Sequence, residues 1–224
     1  MAKSIIVAID EYEKASFDRI LGALNPNLCM VKIGSVSFNS LGHNTIYSAA
    51  KRGFDIFLDL KLHDIPNTVK KSIEGLATLP INMLTVHISG GKLMMESAME
   101  ALIGTNIKVF GVTALTSLSD SDTNQIYQRT VTNQVNAMLD IAEEAKIDGV
   151  VCSPHELELV TARKSLLSIT PGIRLLDVND DDQSRVMTPK QAIDLGSNHI
   201  VIGRPITCAE DISEALNKIY QSIN

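Results

Sequence analysis

A (β/α)8 TIM barrel is the fold class that this 224-residue sequence predicts, on three observations. Short apolar, β-branched runs alternate with longer stretches of helical period from end to end, giving eight pairs. No hairpin signal separates successive runs, so the strands must be parallel and joined by crossover helices. Eight units in a chain of this length match a compact barrel, and no Pro/Gly/Ser-rich linker or shift in composition divides it. Residues 1–224 therefore read as a single α/β domain. A doubly wound open sheet is the alternative, but no GxGxxG follows the first strand.

The elements follow in order. The opening run SIIVAID (4–10) lies in an apolar stretch of about seven residues, too short to span a membrane, with no cleavage-type region. It reads as the first strand, with a helix over 13–24. MVKIG (30–34) precedes a helix over 37–52. FDIFLDL (54–60) precedes a helix over 67–78, with Pro66 suited to its start. MLTVHI (83–88) leads to a helix over 91–103, and KVFGVT (108–113) to one over 130–146. GVVCS (149–153), LLSIT (166–170) and HIVIG (199–203) are followed by helices over 155–164, 188–195 and 209–222. Two connections, 114–128 and 174–185, exceed the usual length. Both leave the carboxyl ends of strands, the side where barrels of this kind carry their active sites.

Composition narrows the function. A net charge of -6 and 4% aromatic residues argue against nucleic-acid binding, since neither a basic stripe nor a stacking platform is present. An anionic ligand would need a local pocket of Arg and Lys. Cys29, Cys152 and Cys208 are widely spaced, without CxxC or a Cys/His cluster, so neither a disulfide framework nor a zinc site is expected. A reducing cytoplasm fits this usage.

The stretch FDIFLDLKLHDIPNTV (54–69) places Asp59, Lys61, His63 and Asp64 at the end of an apolar run. Side chains alternate faces along a strand. Ile56, Leu58, Leu60 and Leu62 then face the outer helices, while Phe57, Asp59 and Lys61 point into the barrel. The same parity sends Ile5, Val7 and Ile9 outward and Asp10 inward on the first strand. On the second it sends Val31 and Ile33 outward and Lys32 inward. Charges from three consecutive strands converge at one mouth. They would satisfy one another as ion pairs, and they also suit proton transfer, since a lysine pKa is tunable by burial. Interleaved lysines compete with a metal at Asp59 and Asp64, and no Ser/His/Asp group is evident.

Phosphate in barrels commonly sits at the loops after strands seven and eight. Here those loops read TPGIR (170–174) and IGRP (202–205), supplying Gly172, Gly203, Arg174 and Arg204. Glycine permits close backbone approach and arginine neutralises oxyanions. Between Arg174 and Gln183 lie Asp177, Asp180, Asp181 and Asp182, a stretch that suits a lid closed by Gln183 on a ligand. His63 and His87 read as supporting residues of the mouth or core, and Met94, Met95 and Met99 as helix packing.

These residues resemble the orotidine 5′-phosphate decarboxylase family, in its bacterial short form. The likeness runs through AID, VKIG, FLDLKLHDIPNTV, TVHISGG, GVTALTS, TPGIR and VIGRPIT, in order along essentially the whole chain. It implies cofactor-free, metal-free decarboxylation of orotidine 5′-phosphate to UMP and carbon dioxide, the last step of UMP biosynthesis. In that reading Lys61 protonates C6, Asp59 lies against the substrate carboxylate, and Lys32 and Asp64 complete the network. Asp10 and Lys32 contact the ribose hydroxyls, and Thr116 the pyrimidine. Arg174, Gln183, Gly203 and Arg204 grip the base-proximal side and the phosphate. Asp64, Ile65 and Thr68 reach into the neighbouring subunit's site, which implies a homodimer, without nucleic-acid or membrane partners. Magnesium-dependent sugar-phosphate barrels share the D-x-K-x-x-D spacing and form the nearest alternative enzyme class. A non-catalytic nucleotide binder on the same fold is a further alternative.

Overall fold

The computed structural model describes residues 3–174 and 187–224. Eight parallel strands close into a barrel in sequence order: β1 (Ile5–Ile9), β2 (Cys29–Gly34), β3 (Ile56–Leu62), β4 (Met83–His87), β5 (Lys108–Val112), β6 (Gly149–Val151), β7 (Leu167–Thr170) and β8 (His199–Ile202). The ring shuts where β1 pairs with β8, Ile5 against Ile200 and Val7 against Ile202.

Around it run α1 (Lys14–Ala23), α2 (Ser35–Leu41), α3 (Asn44–Lys51), α4 (Pro66–Leu76), α5 (Lys92–Glu100), α6 (Asp120–Tyr127), α7 (Val131–Glu144), α8 (Leu157–Thr161), α9 (Pro189–Asp194), α10 (Arg204–Thr207) and α11 (Ile212–Ile223). The expected barrel is therefore present, with local corrections. The helix expected over 37–52 is two, α2 and α3, because Gly42 at φ 68 ends the first. The loop expected over 114–128 contains α6, whose polar sequence hides its period but whose Ser119 and Asp122 form a capping box. A 3-10 turn at Pro154–Glu156 begins the segment expected as a helix over 155–164. The short α10 precedes α11 where one helix over 209–222 was expected. β3 extends past residue 60 to Leu62, so Lys61 belongs to the strand.

Parity divides the core as expected. Ile5, Val7, Ile9, Val31, Ile33, Ile56 and Leu58 pack outward in one cluster with Phe17, Ile20, Ile73, Met94 and Met95 from the helices. Inside the barrel, Ile6, Ala8, Met30, Phe57, Met83, Phe110, Ile169 and Val201 form a second cluster, with Phe57 and Phe110 edge to face at 6.3 Å. Moving two residues towards the carboxyl end from these inner positions reaches Asp10, Lys32, Asp59 and Thr85. The apolar plug is thus the floor on which the polar layer stands.

At the opposite rim, three side chains placed just before even strands accept backbone N–H bonds from the preceding odd strand. Asn82 accepts from Ile56 at 2.7 Å, Asp148 from Val109 at 2.8 Å and Asn198 from Ser168 at 2.8 Å. The cysteines are free thiols, with Cys29 and Cys152 buried and Cys208 exposed.

Candidate active site

β1, β2 and β3 deliver a chain of ion pairs to the carboxyl-terminal mouth. The Lys32 ammonium lies 3.1 Å from Asp10 Oδ1 and 3.4 Å from Asp59 Oδ2. The Lys61 ammonium donates to both oxygens of Asp59 at 2.8 Å. Gly34, opposite Asp59 in the β2–β3 register, makes room for this arrangement. A Cβ there would fall 2.8 Å from Asp10 Oδ1 and 2.9 Å from Lys32 Nζ.

Lys61 sits where β3 is irregular. β3 takes four residues from Leu58 to Leu62 while β4 takes two from Leu84 to Val86, and Lys61 adopts φ 51 within that bulge. Its backbone N–H donates to Thr85 Oγ1 at 2.8 Å, and Thr85 Oγ1 lies 3.0 Å from Asp59 Oδ1. Burial pushes the Asp59 carboxyl up, but the Lys32 and Lys61 ammonium groups and the bonds from Lys61 and Thr85 outweigh it, holding the pKa below its ordinary value. Asp59 is therefore an anion at neutral pH although it is buried.

Above this layer opens a cavity of about 250 Å³ lined by Lys32, Phe57, Asp59 and Lys61 on one side. Leu115, Thr116, Pro171 and Val201 are among the residues on its other side. Ammonium and carboxylate on one wall and apolar groups on the other suit a flat polar ring whose charge changes during reaction. His87, at the end of β4, lies against His63 with ring centroids 5.4 Å apart and the ring planes tilted by 41°. Burial, then the His63 and Lys61 charges, hold the His87 pKa down against the opposing pull of Asp59, which favours neutral imidazole.

Of the residues singled out from the sequence, Asp10, Lys32, Asp59 and Lys61 meet in one network, and Thr116 lines the same cavity. Asp64, Ile65 and Thr68 are exposed, beyond β3 and on the first turn of α4, and Asp64 accepts its neighbour Ile65 N–H at 2.6 Å. Pro66 begins α4 as expected. Arg174 and Arg204 are exposed past the ends of β7 and β8 and form no ion pair among the described residues. A Cβ at Gly203 would meet Ala8 at an ordinary 3.7 Å, so the surrounding fold leaves room there. Gln183 and Asp177, Asp180, Asp181 and Asp182 lie outside the described residues. The flanks of that segment are joined, with Ile173 bridged to Met187 and Arg174 N–H donating to Met187 O at 3.2 Å.

Thr85 and Gly34 were not anticipated as site residues. The signal for Thr85 was present, because the parity that places Asp59 inward also places Met83, Thr85 and His87 inward on β4.

This geometry has close relatives. The chain is similar to an orotidine 5′-phosphate decarboxylase of Saccharophagus degradans, 42% identical over 96% of this chain and 92% of that protein. It is 44% identical to one of Actinobacillus pleuropneumoniae, with both chains covered fully. The crystal structure of orotidine 5′-phosphate decarboxylase from Lactobacillus acidophilus superimposes with a TM-score of 0.86 at 36% identity, covering 100% of each chain. Residues 3–219 match the family described as Orotidine 5'-phosphate decarboxylase / HUMPS. With barrel, sequence and near-complete coverage in agreement, the chain belongs to that family.

Proposed function

We propose that this protein decarboxylates orotidine 5′-phosphate to UMP and carbon dioxide without a cofactor, at the cavity above Asp59. The observation that carries the reading is a buried carboxylate held ionised between two ammonium groups, both lining an otherwise largely apolar pocket. The family of the chain supports the same reaction.

In the reaction the C6–carboxylate bond breaks, its electron pair stays on C6, and the Lys61 ammonium supplies the proton that C6 takes up. Solvent then reprotonates the Lys61 amine. A carbanion poorly stabilised by conjugation leaves a barrier that calls for a reduction of about 20 kcal/mol, mainly from preorganised charge. Asp59 opposes the substrate carboxylate and ceases to repel it once neutral carbon dioxide forms, while Lys61 gains as charge gathers on C6. Both changes favour the transition state over the ground state. Lys32 holds Asp59 in place and, with Asp10, meets the ribose hydroxyls. Thr116 meets the pyrimidine.

Arg174, Arg204 and the backbone at Gly203 take the phosphate, with Gln183, which lies outside the described residues, as a further contact. Phosphate binding energy, remote from C6, then serves orientation. Asp64, Ile65 and Thr68 complete the site of a second copy in a homodimer. What supports this is that Tyr12, Val36, Ile65 and Leu93, each in the connection or first helical turn that follows one of β1–β4, are 47% to 70% exposed, which leaves large apolar groups uncovered on the mouth side. The single-domain enzyme would work in the cytoplasm. Among the described residues no helix is long and apolar enough to cross a membrane.

The test is turnover of orotidine 5′-phosphate in excess EDTA, following loss of the orotate chromophore and formation of UMP, with Lys61→Ala as control. Metal-independent turnover that the variant loses supports the reading. A folded wild-type protein that leaves the substrate intact, but turns over sugar phosphates with magnesium, overturns it.

A further inference from the structure

We propose that Thr85 is a positioning residue of this site, whose hydroxyl ties the bulged backbone of Lys61 and the carboxylate of Asp59 into one rigid unit. The inference rests on the functional reading above and extends it to a residue with no access to substrate. Thr85 is 0% exposed and is not part of the cavity wall.

Hydrogen-bond direction makes the case. Between Leu58 and Leu62 the regular pairing with β4 lapses, so the Lys61 N–H needs a partner outside the ladder. Thr85 Oγ1 is that partner, at 2.8 Å. A backbone N–H only donates, so the Thr85 oxygen accepts there. The Asp59 anion only accepts, so the Thr85 proton points to Asp59 Oδ1, 3.0 Å away. One hydroxyl thus fills both roles, and neither bond can reverse.

The consequence reaches the proton donor. Lys61 holds φ 51, a conformation that a residue with a Cβ seldom adopts unless its surroundings enforce it. From there its side chain returns to place Nζ 2.8 Å from both oxygens of Asp59. Removing the Thr85 hydroxyl orphans a backbone N–H and frees the rotation of the carboxylate in a single change. The other groups facing Asp59 are Lys32 from β2, backed by Asp10 beyond β1, and His87 from β4, which His63 flanks. None of these bonds the Lys61 backbone.

Thr85→Val keeps the shape and removes the hydroxyl, and Thr85→Ser keeps the hydroxyl. The expected result is a kcat for Thr85→Val lower by roughly 10- to 100-fold with KM changed by less than about threefold, and Thr85→Ser close to wild type. The Asp59 carboxyl, followed by 13C NMR titration without substrate, should titrate at higher pH in Thr85→Val and as in wild type in Thr85→Ser. Wild-type kcat and an unmoved titration in folded Thr85→Val would overturn the proposal, as would a Thr85→Ser protein as impaired as the valine variant. Should the valine variant not fold, Thr85→Ala carries the same expectations. Absence of wild-type turnover would defeat the functional reading alone, since the Asp59 titration still decides the role of Thr85.

Discussion

Lys61 and Asp59 are next-but-one neighbours on the same strand, and the ammonium of one contacts both carboxylate oxygens of the other at 2.8 Å. On the proposed reaction, such a grip gives the two residues separable roles. Lys61→Ala removes the proton donor and should lower kcat by about 100-fold or more, in the range of general acid catalysis. Asp59→Asn keeps the donor and abolishes the charge opposed to the substrate carboxylate, so kcat should fall while phosphate affinity, read from UMP binding, is retained. Equal loss of UMP binding in both variants would assign the pair to ligand binding instead.

Gly34 makes a second, subtler prediction. The Cβ of Gly34→Ala would press on the ends of the Asp10 and Lys32 side chains, at 2.8 Å and 2.9 Å, and both can move. Alanine is also the better strand residue in backbone entropy. Thermal stability should therefore hold within a few degrees while kcat/KM falls by roughly tenfold or more, because the network is displaced without loss of the fold. A parallel fall in Tm and activity would place the effect in packing.

Acid stability follows from Asp59. Its pKa is lowered on folding, so its contribution is fully present above the unfolded-state value of about 3.9 and is lost as pH falls through the lower folded value. Urea titrations should show the stability gap between wild type and Asp59→Asn constant near neutrality and closing below about pH 4. Glu156 has the opposite sign, because burial raises its pKa against bonds from Ser153 and Thr113. Its contribution is present below about pH 4.3 and is lost as pH rises through the higher folded value, so Glu156→Gln should flatten that slope.

Thiol chemistry separates the three cysteines. Burial pushes the Cys29 and Cys152 thiols up to about 12, whereas Cys208 is exposed. A thiol reagent at neutral pH should label one site quickly, lost in Cys208→Ser, and reach the other two only on unfolding. Rapid labelling of more than one thiol in the native protein would contradict the burial.

The exposed apolar groups on the mouth side predict assembly. Ile65 is 65% exposed beside Asp64, so Ile65→Lys should shift the protein towards monomer in sedimentation and make specific activity concentration-dependent. A wild-type protein that sediments as a monomer while fully active would remove the shared site.

Much of the fold was legible because apolar runs mark the strands and side chains alternate faces along each of them. Ile5, Val7 and Ile9 pack outward and Phe57 and Asp59 face inward, as the alternation requires. What was hidden depends on geometry that has no composition signature. Nothing in LDLKL announces that Lys61 adopts φ 51, because the bulge is fixed by Thr85 on another strand. The helix α6 was hidden for a different reason, since its residues are polar nearly throughout and only its capping box marks it. Parity located the charges, but the need for Gly34 arises from Lys32 and Asp10 crowding its Cβ position, which no local pattern encodes.

The side-chain clamps at the far rim bear on how the ring is assembled. Asn82, Asp148 and Asn198 each tie a strand to its predecessor across 26 to 39 residues, whereas the bond from His199 to Lys3 O that helps close the barrel spans 196. Closing the longer loop carries an extra entropic penalty of only about 1–2 kcal/mol, yet it gains nothing until every intervening strand is in place. The pairs β3–β4, β5–β6 and β7–β8 can thus form as local units, and the seam between β1 and β8 shuts last. The charged network needs Asp10 and Lys32, on or next to β1 and β2, to which none of these three clamps reaches, so a chain that stalls before closure holds three tied strand pairs and no working mouth.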